Sequence, residues 1–325
     1  MKVLNFDGVI PACVTPFDEA GDIDVKALAA HARWLASVKG ITGIVCNGHA
    51  GEGLAMTESE RLEVIRCLVD AVGSRMPIIA GIVGEGTRMA ASEAKRVAEA
   101  GASGLLVYPS HSWLRFGYQQ GAPEDRYRAI TDACAVPLVL FLYPDMTKAT
   151  YSLETQLNIC ANPRVVAIKH GVRNMARWDT EVPIIRRERP RVKIVTCQDE
   201  YLLHTMWESD GALVGYGAPC PELMVELFTA AKRHDYDAAK KVYDRTLKLT
   251  SALYHIEPHA AVTVALKTAL VLRGLLPRWT VRSPLMPLSG PQVEKIRDGL
   301  LAAGISLPRA EAATGRAIAE ASHST

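Results

Sequence analysis

The feature that most constrains the fold is a regular alternation of short apolar runs with longer amphipathic segments. Several of the runs are apolar nearly throughout, as expected of parallel strands that are buried on both faces of a sheet. Eight strand–helix units predict an α/β fold, the (β/α)8 barrel. A doubly wound sheet is the alternative, but its usual glycine fingerprint is missing. The predicted strands are 9–14, 43–46, 77–80, 104–108, 137–142, 165–168, 193–196 and 212–215.

Helix signals fill the segments between the strands and the region after the last one. A helix over 59–72 has Thr57 as its N-cap, with Glu60 completing a capping box. Two further helices are predicted, over 25–37 and over 87–100. Gly101 ends the helix over 87–100. Because no strand-like run follows residue 215, the chain is predicted to divide into a barrel, 1–232, a C-terminal helical domain, 233–306, and a flexible tail, 307–325. The predicted C-terminal helices are 222–233, 236–254, 260–273 and 291–303.

Charge and cysteine content exclude several classes of protein. The formal net charge is +2, from 37 basic and 35 acidic residues, which gives no electrostatic reason to expect nucleic acid or an anionic membrane as a partner. No apolar run reaches the roughly 18 residues that a membrane-spanning helix needs. Seven scattered cysteines without a CxxC pair argue against a disulfide framework. We find no signal-peptide pattern at the N-terminus and expect a cytoplasmic protein.

Lys169 is the first candidate for chemistry, because catalytic groups in such barrels lie where strands end. It directly follows the predicted strand 165–168. A lysine in this position usually extends into solvent. If it is instead desolvated at the mouth of the barrel, burial disfavours the ammonium form and the free amine can condense with a ketone to form a Schiff base.

The segment 48–53 is a candidate anion site. It follows the second strand and contains three glycines, so that backbone N–H groups can converge on a carboxylate near a helix N-terminus. The alternative is a glycine-rich connecting turn without a binding role. The residues expected to contact a ligand here are Gly48, His49, Ala50 and Gly51.

Aromatic and imidazole groups are predicted to meet after strands four and five. Phe141 and Tyr143 are two residues apart, so both side chains share one face if the backbone is extended. Tyr143 can transfer protons, or it can be a packed loop aromatic before Pro144. Tyr108 and His111 follow the fourth strand, and an imidazole titrates near neutral pH.

An HxExH string, His255, Glu257 and His259, is the sole pattern that suggests a metal. Pro258 interrupts it, and we therefore interpret these residues as polar groups at a helix end. No metal and no cofactor are expected.

Together these residues resemble the dihydrodipicolinate synthase and N-acetylneuraminate lyase family. The resemblance extends from about residue 6 to residue 305. It implies a (β/α)8 barrel with a C-terminal helical domain, a homo-oligomer (tetramer or dimer), a 2-oxo acid substrate and Schiff-base chemistry at Lys169. The motifs that carry it are the opening segment 8–17, the GxxGE pattern at 48–52, the strand residues 166–169, the segment 198–200 and the stretch 282–288.

Several positions depart from the family pattern. Phe141 lies where the family has the tyrosine of its strand-five motif, and His49 with Ala50 replaces two hydroxyl residues between the glycines. Ser110 and His111 take the place of a tyrosine pair, and the usual arginine after the strand-five proline is Met146 or Lys148. These departures argue against dihydrodipicolinate synthesis and against standard sialic acid cleavage.

The sequence therefore supports a Schiff-base lyase, either an aldolase or a hydro-lyase, acting on a different 2-oxo acid. Its catalytic residues would be Lys169, Tyr143 and His111, with a contribution from His49. A catalytically inactive barrel that binds a 2-oxo acid or a sugar acid is the alternative, and a metal-dependent barrel enzyme is a third hypothesis. The expected substrate-binding residues are Gly48, His49, Ala50, Gly51, Phe141, Tyr108 and Gly215.

Overall fold

The eight predicted strands are present and form one parallel sheet that closes on itself. The computed structural model describes residues 3–308. Neighbouring strands pair in the order β1-β8-β7-β6-β5-β4-β3-β2, and the bridges Val9 to Ile41 and Ala12 to Val45 join the remaining two edges. The predicted barrel is therefore confirmed. Its strands are β1 (Val9–Pro11), β2 (Ile44–Cys46), β3 (Ile78–Ile82), β4 (Gly104–Val107), β5 (Leu138–Leu142), β6 (Val165–His170), β7 (Lys193–Thr196) and β8 (Gly211–Val214).

One buried residue from each strand fills the barrel interior. Because side chains alternate between the two faces of a strand, the residues on either side of each interior residue point outward, toward the helices. The interior is therefore a packed apolar core rather than a channel. The eight residues of this interior layer are Ile10, Val45, Ile79, Leu106, Val139, Ala167, Val195 and Leu213.

Helices surround the strands, and the predicted caps are present. Thr57 and Glu60 form the predicted capping box at the start of the second helix, and Gly101 has a φ of +99° just beyond the end of the third. The prediction named three of the eight helices that lie between strands. The helices up to the last strand are α1 (Val25–Leu35), α2 (Glu58–Val72), α3 (Thr87–Glu99), α4 (Ser112–Phe116), α5 (Ala122–Ala133), α6 (Leu153–Ala161), α7 (Met175–Glu188) and α8 (Leu202–Glu208).

Several strands begin or end at other residues than predicted, and three of these differences lie at the carboxyl ends of β1, β6 and β8. After Pro11 the backbone N–H groups donate hydrogen bonds alternately to the two neighbouring strands. Ala12 N–H donates to the Val214 carbonyl of β8 and Cys13 N–H to the Val45 carbonyl of β2, so the regular hydrogen-bond ladder of β1 ends early. β6 continues two residues further than predicted, which places Lys169 inside the strand and not after it. Gly215 begins a short 3₁₀ turn instead of ending β8.

Helices make up the regular structure that follows β8. The predicted helix over 236–254 consists of a regular α-helix, α10 (Tyr236–Leu249), and a π-helical end over Thr250–Tyr254. The predicted helix over 260–273 begins with the 3₁₀ turn His259–Ala261. The predicted domain boundary at residue 232 coincides with the end of the helix before α10, and the predicted tail lies, apart from residues 307 and 308, outside the described residues. These helices are α9 (Pro221–Lys232), α10 (Tyr236–Leu249), α11 (Val262–Leu272) and α12 (Gly290–Ala302).

In the range 3–308, none of the helices has the length and apolar character required to cross a membrane.

Candidate active site

The candidate site lies one layer above the apolar interior of the barrel, at the carboxyl ends of the strands. A residue two positions after an interior residue again faces inward. Phe141 follows Val139 in this way, and Lys169 follows Ala167. By the same spacing Tyr108, Cys197 and Gly215 follow the interior residues of their own strands. All five line one cavity of about 650 Å³.

Lys169 is buried at the floor of this cavity. It stands in β6 between Phe141 of β5 and Val195 of β7, and 7% of its surface is exposed. Its Nζ lies 3.9 Å from the centre of the Phe141 ring, a cation–π distance. The barrel walls thus hold the amine in one place, where it faces a ligand in the cavity rather than bulk water.

Tyr143 and His49 form a hydrogen-bonded pair above Lys169. The Tyr143 Oη lies 3.1 Å from His49 Nε2, and the Tyr143 side chain is buried among the rings of Phe141 and Tyr108. The backbone N–H of His49 donates to the Tyr108 hydroxyl over 3.3 Å. Three of the predicted site residues are therefore in direct contact.

Both groups of this pair are neutral near pH 7. Burial raises the pKa of the Tyr143 phenol well above its usual value. The His49 side chain is exposed to the cavity. Desolvation, followed by the positive charges of Lys169, His111 and Arg173, lowers the pKa of His49. A neutral imidazole has one donor and one acceptor nitrogen, so the pair can pass a proton in either direction.

The glycines of the loop 48–53 are required by close contacts. A Cβ on Gly48 would lie 2.7 Å from the Tyr108 hydroxyl, and one on Gly53 would lie 2.2 Å from the carbonyl oxygen of Asn47. The N–H groups of Ala50 and Gly51 have no acceptor among residues 3–308, which suits a carboxylate ligand. The helix N-terminus expected next to this loop lies farther along the chain, because α2 begins only at Glu58, after a 3₁₀ turn.

His111, a predicted catalytic residue, is not among the residues that line the cavity. Its backbone N–H donates to Glu85 Oε2 over 2.7 Å, and its Nδ1 lies 3.7 Å from the same oxygen. Glu85 follows β3 and also accepts hydrogen bonds from Ser110 and Ser112. Although burial raises its pKa, these hydrogen bonds lower the pKa of Glu85 to about 2. The carboxylate thus holds the start of α4, and Leu114 of that helix lines the cavity instead.

Arg173, Asp199 and Tyr254 line the cavity although no role was predicted for them. Arg173 has a φ of 52°, and its Nε lies 3.1 Å from both carboxylate oxygens of Glu200. Asp199 is buried and accepts the backbone N–H of Gly215 over 3.0 Å, and burial raises the pKa of its carboxyl group. The sequence offered a signal for Asp199, within the motif 198–200, but none for Tyr254, which comes from the π-helical segment after α10.

Gly215 has a clear structural reason to be a glycine. A Cβ at this position would lie 2.0 Å from the Tyr254 hydroxyl. The absence of a side chain therefore admits Tyr254 to the cavity wall, and Gly215 itself lines the same cavity.

A buried ion pair fixes the far end of the glycine loop. Lys267 of α11 pairs with Glu52, and both side chains are almost completely buried. Glu52 also accepts the backbone N–H of Arg282 over 2.9 Å. Burial lowers the pKa of Lys267 to about 8, with Glu52 acting in the opposite direction. Helix α11 and the segment after it therefore determine where the loop lies.

The HxExH string does not form a metal site. In the part of the chain that the structure describes, no group of three or more His, Cys, Asp or Glu side chains is placed to hold a metal ion. His259 instead places its Nδ1 3.2 Å from the carbonyl oxygen of Tyr254. The hypothesis of a metal-dependent enzyme has no support in residues 3–308.

A buried lysine that lines one cavity with a tyrosine–histidine pair, at the carboxyl ends of the strands of a (β/α)8 barrel, is compatible with an aldolase-like lyase. Residues 5–303 match the dihydrodipicolinate synthetase family. The chain belongs to this family.

Relatives and solved structures of the same length agree with this assignment. The 4-hydroxy-tetrahydrodipicolinate synthase of Haloarcula marismortui is 30% identical over 302 residues, covering 92% of this chain and 94% of the relative. A probable 2-dehydro-3-deoxy-D-pentonate aldolase of Escherichia coli is 26% identical and covers 93% and 98%. The structure of the chloride-inhibited dihydrodipicolinate synthase from Acinetobacter baumannii with pyruvate is 25% identical, with a TM-score of 0.82 over 94% of this chain and 100% of that one.

Proposed function

We propose that this lyase acts on a 2-oxo acid through a Schiff base on Lys169. The observation that carries the proposal is the position of Lys169, buried in β6 at the floor of the cavity with its Nζ against the Phe141 ring. The relatives support it, since one is a probable aldolase of a 2-oxo acid and one solved structure contains pyruvate.

Lys169 attacks the C2 carbonyl carbon of the substrate, and the carbonyl oxygen leaves as water to give an iminium ion. The substrate carboxylate accepts hydrogen bonds from the free N–H groups of Ala50 and Gly51. The positive iminium nitrogen then withdraws the electron pair of a bond at C3, which gives an enamine. The buried rings around Lys169 exclude water from this step.

The Tyr143–His49 pair moves the proton at the substrate oxygen. In aldol cleavage the pair accepts the proton of the 4-hydroxyl group as the C3–C4 bond breaks, and the aldehyde leaves. The pair then returns that proton to C3 of the enamine, and water hydrolyses the iminium ion to release pyruvate and Lys169. In a hydro-lyase reaction the pair instead accepts the C3 proton as the enamine forms and then donates it to the 4-hydroxyl group, which leaves as water while the enamine returns to an iminium ion.

His111 is not part of this mechanism, because Glu85 holds it outside the cavity. The family resemblance still predicts a homo-oligomer.

Reduction with borohydride in the presence of pyruvate tests the proposal. We expect a stable adduct on the peptide that contains Lys169, and no adduct in Lys169→Gln. Lys193→Gln is a matched control, because Lys193 is an exposed lysine at the opposite end of a barrel strand. No adduct with any of a panel of 2-oxo acids would exclude Schiff-base chemistry. An adduct without turnover of any 4-hydroxy-2-oxo acid would favour a binding protein.

A further inference from the structure

The outer part of the cavity is lined mainly by apolar side chains. From its shape and contacts we infer that the substrate carries an aryl or alkyl group beyond its 2-oxo acid end, instead of a polyhydroxylated or charged chain. The inference rests on the proposed function, since Lys169 and the glycine loop fix where the 2-oxo acid end lies.

Apolar side chains from several separate segments line the cavity above Lys169. Leu54 comes from the turn before α2, Leu114 from α4 and Val262 from α11. Leu54 is 52% exposed and Leu114 is 38% exposed, so the cavity wall carries accessible apolar surface. Exposed apolar side chains that converge around a cavity are typical of a ligand-binding surface. The apolar lining also includes Ala50, Ala55, Pro144, Leu266, Pro284 and Leu285.

Three polar groups of the outer wall, on Thr263, Thr147 and His259, already have partners within the protein. The Thr263 hydroxyl donates to the carbonyl oxygen of His49 over 3.2 Å, and the Thr147 hydroxyl donates to that of Pro144 over 2.9 Å. His259 contacts the Tyr254 carbonyl. The O–H groups of Thr263 and Thr147 are therefore already donated, and a hydroxylated substrate could use these two oxygens only as acceptors.

The charged groups of the wall are paired as well. Arg173 is held by Glu200. Arg282 donates to Glu60 over 2.5 Å and to the carbonyl oxygen of Gly21 over 2.8 Å. A negative group at the distal end of a substrate would have to compete with these protein acceptors. An apolar distal group of the substrate does not compete with these protein acceptors, and its binding removes the exposed apolar surface of the cavity wall from water.

The size of the cavity agrees with a substrate larger than pyruvate. Cavities of about 300–1,000 Å³ hold drug-sized ligands, and this one measures about 650 Å³. A three-carbon fragment on Lys169 leaves most of that space free, so a ring or a branched alkyl chain fits beyond C3.

The condensation reaction measures this preference directly. With pyruvate as donor, we expect kcat/KM for benzaldehyde and 3-phenylpropanal to exceed that for glyceraldehyde and aspartate semialdehyde by at least about tenfold. Equal or greater kcat/KM for glyceraldehyde or aspartate semialdehyde would overturn the inference.

A substitution in the apolar wall provides the second test. Leu54→Asn is expected to lower the ratio of apolar to hydroxylated aldehyde kcat/KM at least about fivefold. Leu247→Asn is the matched control, since Leu247 is an exposed leucine of α10 that does not line the cavity, and the ratio should not change. If Leu54→Asn changed the oligomeric state in gel filtration and left the ratio unaltered, Leu54 would be a subunit contact and the inference would be wrong.

Two further measurements separate this inference from the proposed function. The borohydride adduct with pyruvate alone is recorded on the same preparation, so an adduct without an aldehyde preference refutes only the substrate class. Calorimetry compares binding of 4-phenyl-2-oxobutanoate with that of a 2-oxo-3-deoxy sugar acid and needs no turnover. Tighter binding of the phenyl compound, by about tenfold or more, supports the inference even if no adduct forms, and the reverse order overturns it.

Discussion

Tyr143→Phe tests the part of the proposed mechanism that depends most on this chain's own residues. The substitution removes the Oη that lies 3.1 Å from His49 Nε2 and keeps the ring that packs edge-on against Phe141. Loss of one hydrogen bond of this kind costs about 1 kcal/mol of folding stability. The variant should therefore fold, with the cavity intact.

The effect on turnover should be much larger than the effect on stability. Proton transfer by a positioned side chain contributes about 10²–10⁴-fold to a rate. We expect kcat for pyruvate release from a 4-hydroxy-2-oxo acid to fall by about 10²-fold or more in Tyr143→Phe, equivalent to about 2.7 kcal/mol of transition-state stabilisation. Borohydride trapping of pyruvate on Lys169 should persist, because the hydroxyl acts on the distal substrate oxygen.

His49→Asn and the double variant show whether the two groups act as a unit. If they do, His49→Asn lowers kcat to a similar extent, and the double variant is no slower than the slower single variant. Tyr118→Phe is the matched control, because it also removes one tyrosine hydroxyl. That hydroxyl does not line the cavity and accepts the backbone N–H of Ser152 over a distance of 3.2 Å. Full turnover of Tyr143→Phe on the true substrate would refute the assignment of Tyr143 to proton transfer.

Three other substitutions test the framework of the site. Lys267→Met leaves the Glu52 carboxylate buried without its partner, so the free energy of unfolding in urea should fall by about 3–5 kcal/mol. Glu85→Gln should lower stability near neutral pH, and its stability should change less than that of the wild type as pH falls from 4.5 to 2. The reason is that the lowered pKa of Glu85 contributes stability above 4.5 that is lost as pH falls through about 2. Gly215→Ala should displace Tyr254 and reduce kcat/KM, and Tyr254→Phe in the same chain should restore part of the loss.

Two of these predictions have a control of the same chemical kind. Lys240→Met breaks an exposed pair with Asp244 and should cost less than about 1 kcal/mol. Glu99→Gln alters an exposed carboxylate of α3 and should leave the acid unfolding profile close to that of the wild type. Equal losses in Lys240→Met and Lys267→Met, or identical acid profiles for wild type and Glu85→Gln, would contradict the roles given to Lys267 and Glu85. Unchanged kcat/KM in Gly215→Ala would contradict the contact with Tyr254.

Strand periodicity explains why much of the fold and part of the site could be predicted from the sequence. Parallel strands that are buried on both faces give short apolar runs, and these were visible throughout the chain. A spacing of two residues then places Phe141 and Tyr143 on one face, and the structure has them in edge-on contact. Lys169 was predicted because it ends the apolar run 165–168, although β6 continues to His170.

Loop conformation and distant contacts could not be obtained in the same way. His111 follows β4 closely, but its orientation depends on Glu85, 26 positions earlier in the chain. Tyr254 reaches the cavity because Gly215 has no side chain, and these two residues are separated by helices α9 and α10. Contacts of this kind depend on tertiary packing, for which the local pattern carries no signal.

The structure also suggests what the departures from the family pattern do together. The resemblance places the family's strand-five tyrosine at Phe141, and here the phenol is on Tyr143, two residues later on the same face. Two residues of strand correspond to about 6.6 Å, so the hydroxyl lies one layer farther out along the barrel. At that height it meets His49, which stands between the glycines of the loop. At the position next to Lys169 where the family has a tyrosine, this chain has the apolar ring of Phe141.

A proton donor one layer above the Lys169 amine is suited to the substrate oxygen at C4 rather than to the imine nitrogen at C2. Substitution of Phe141 by Tyr would therefore place a second hydroxyl beside Lys169 without replacing the function that we assign to Tyr143.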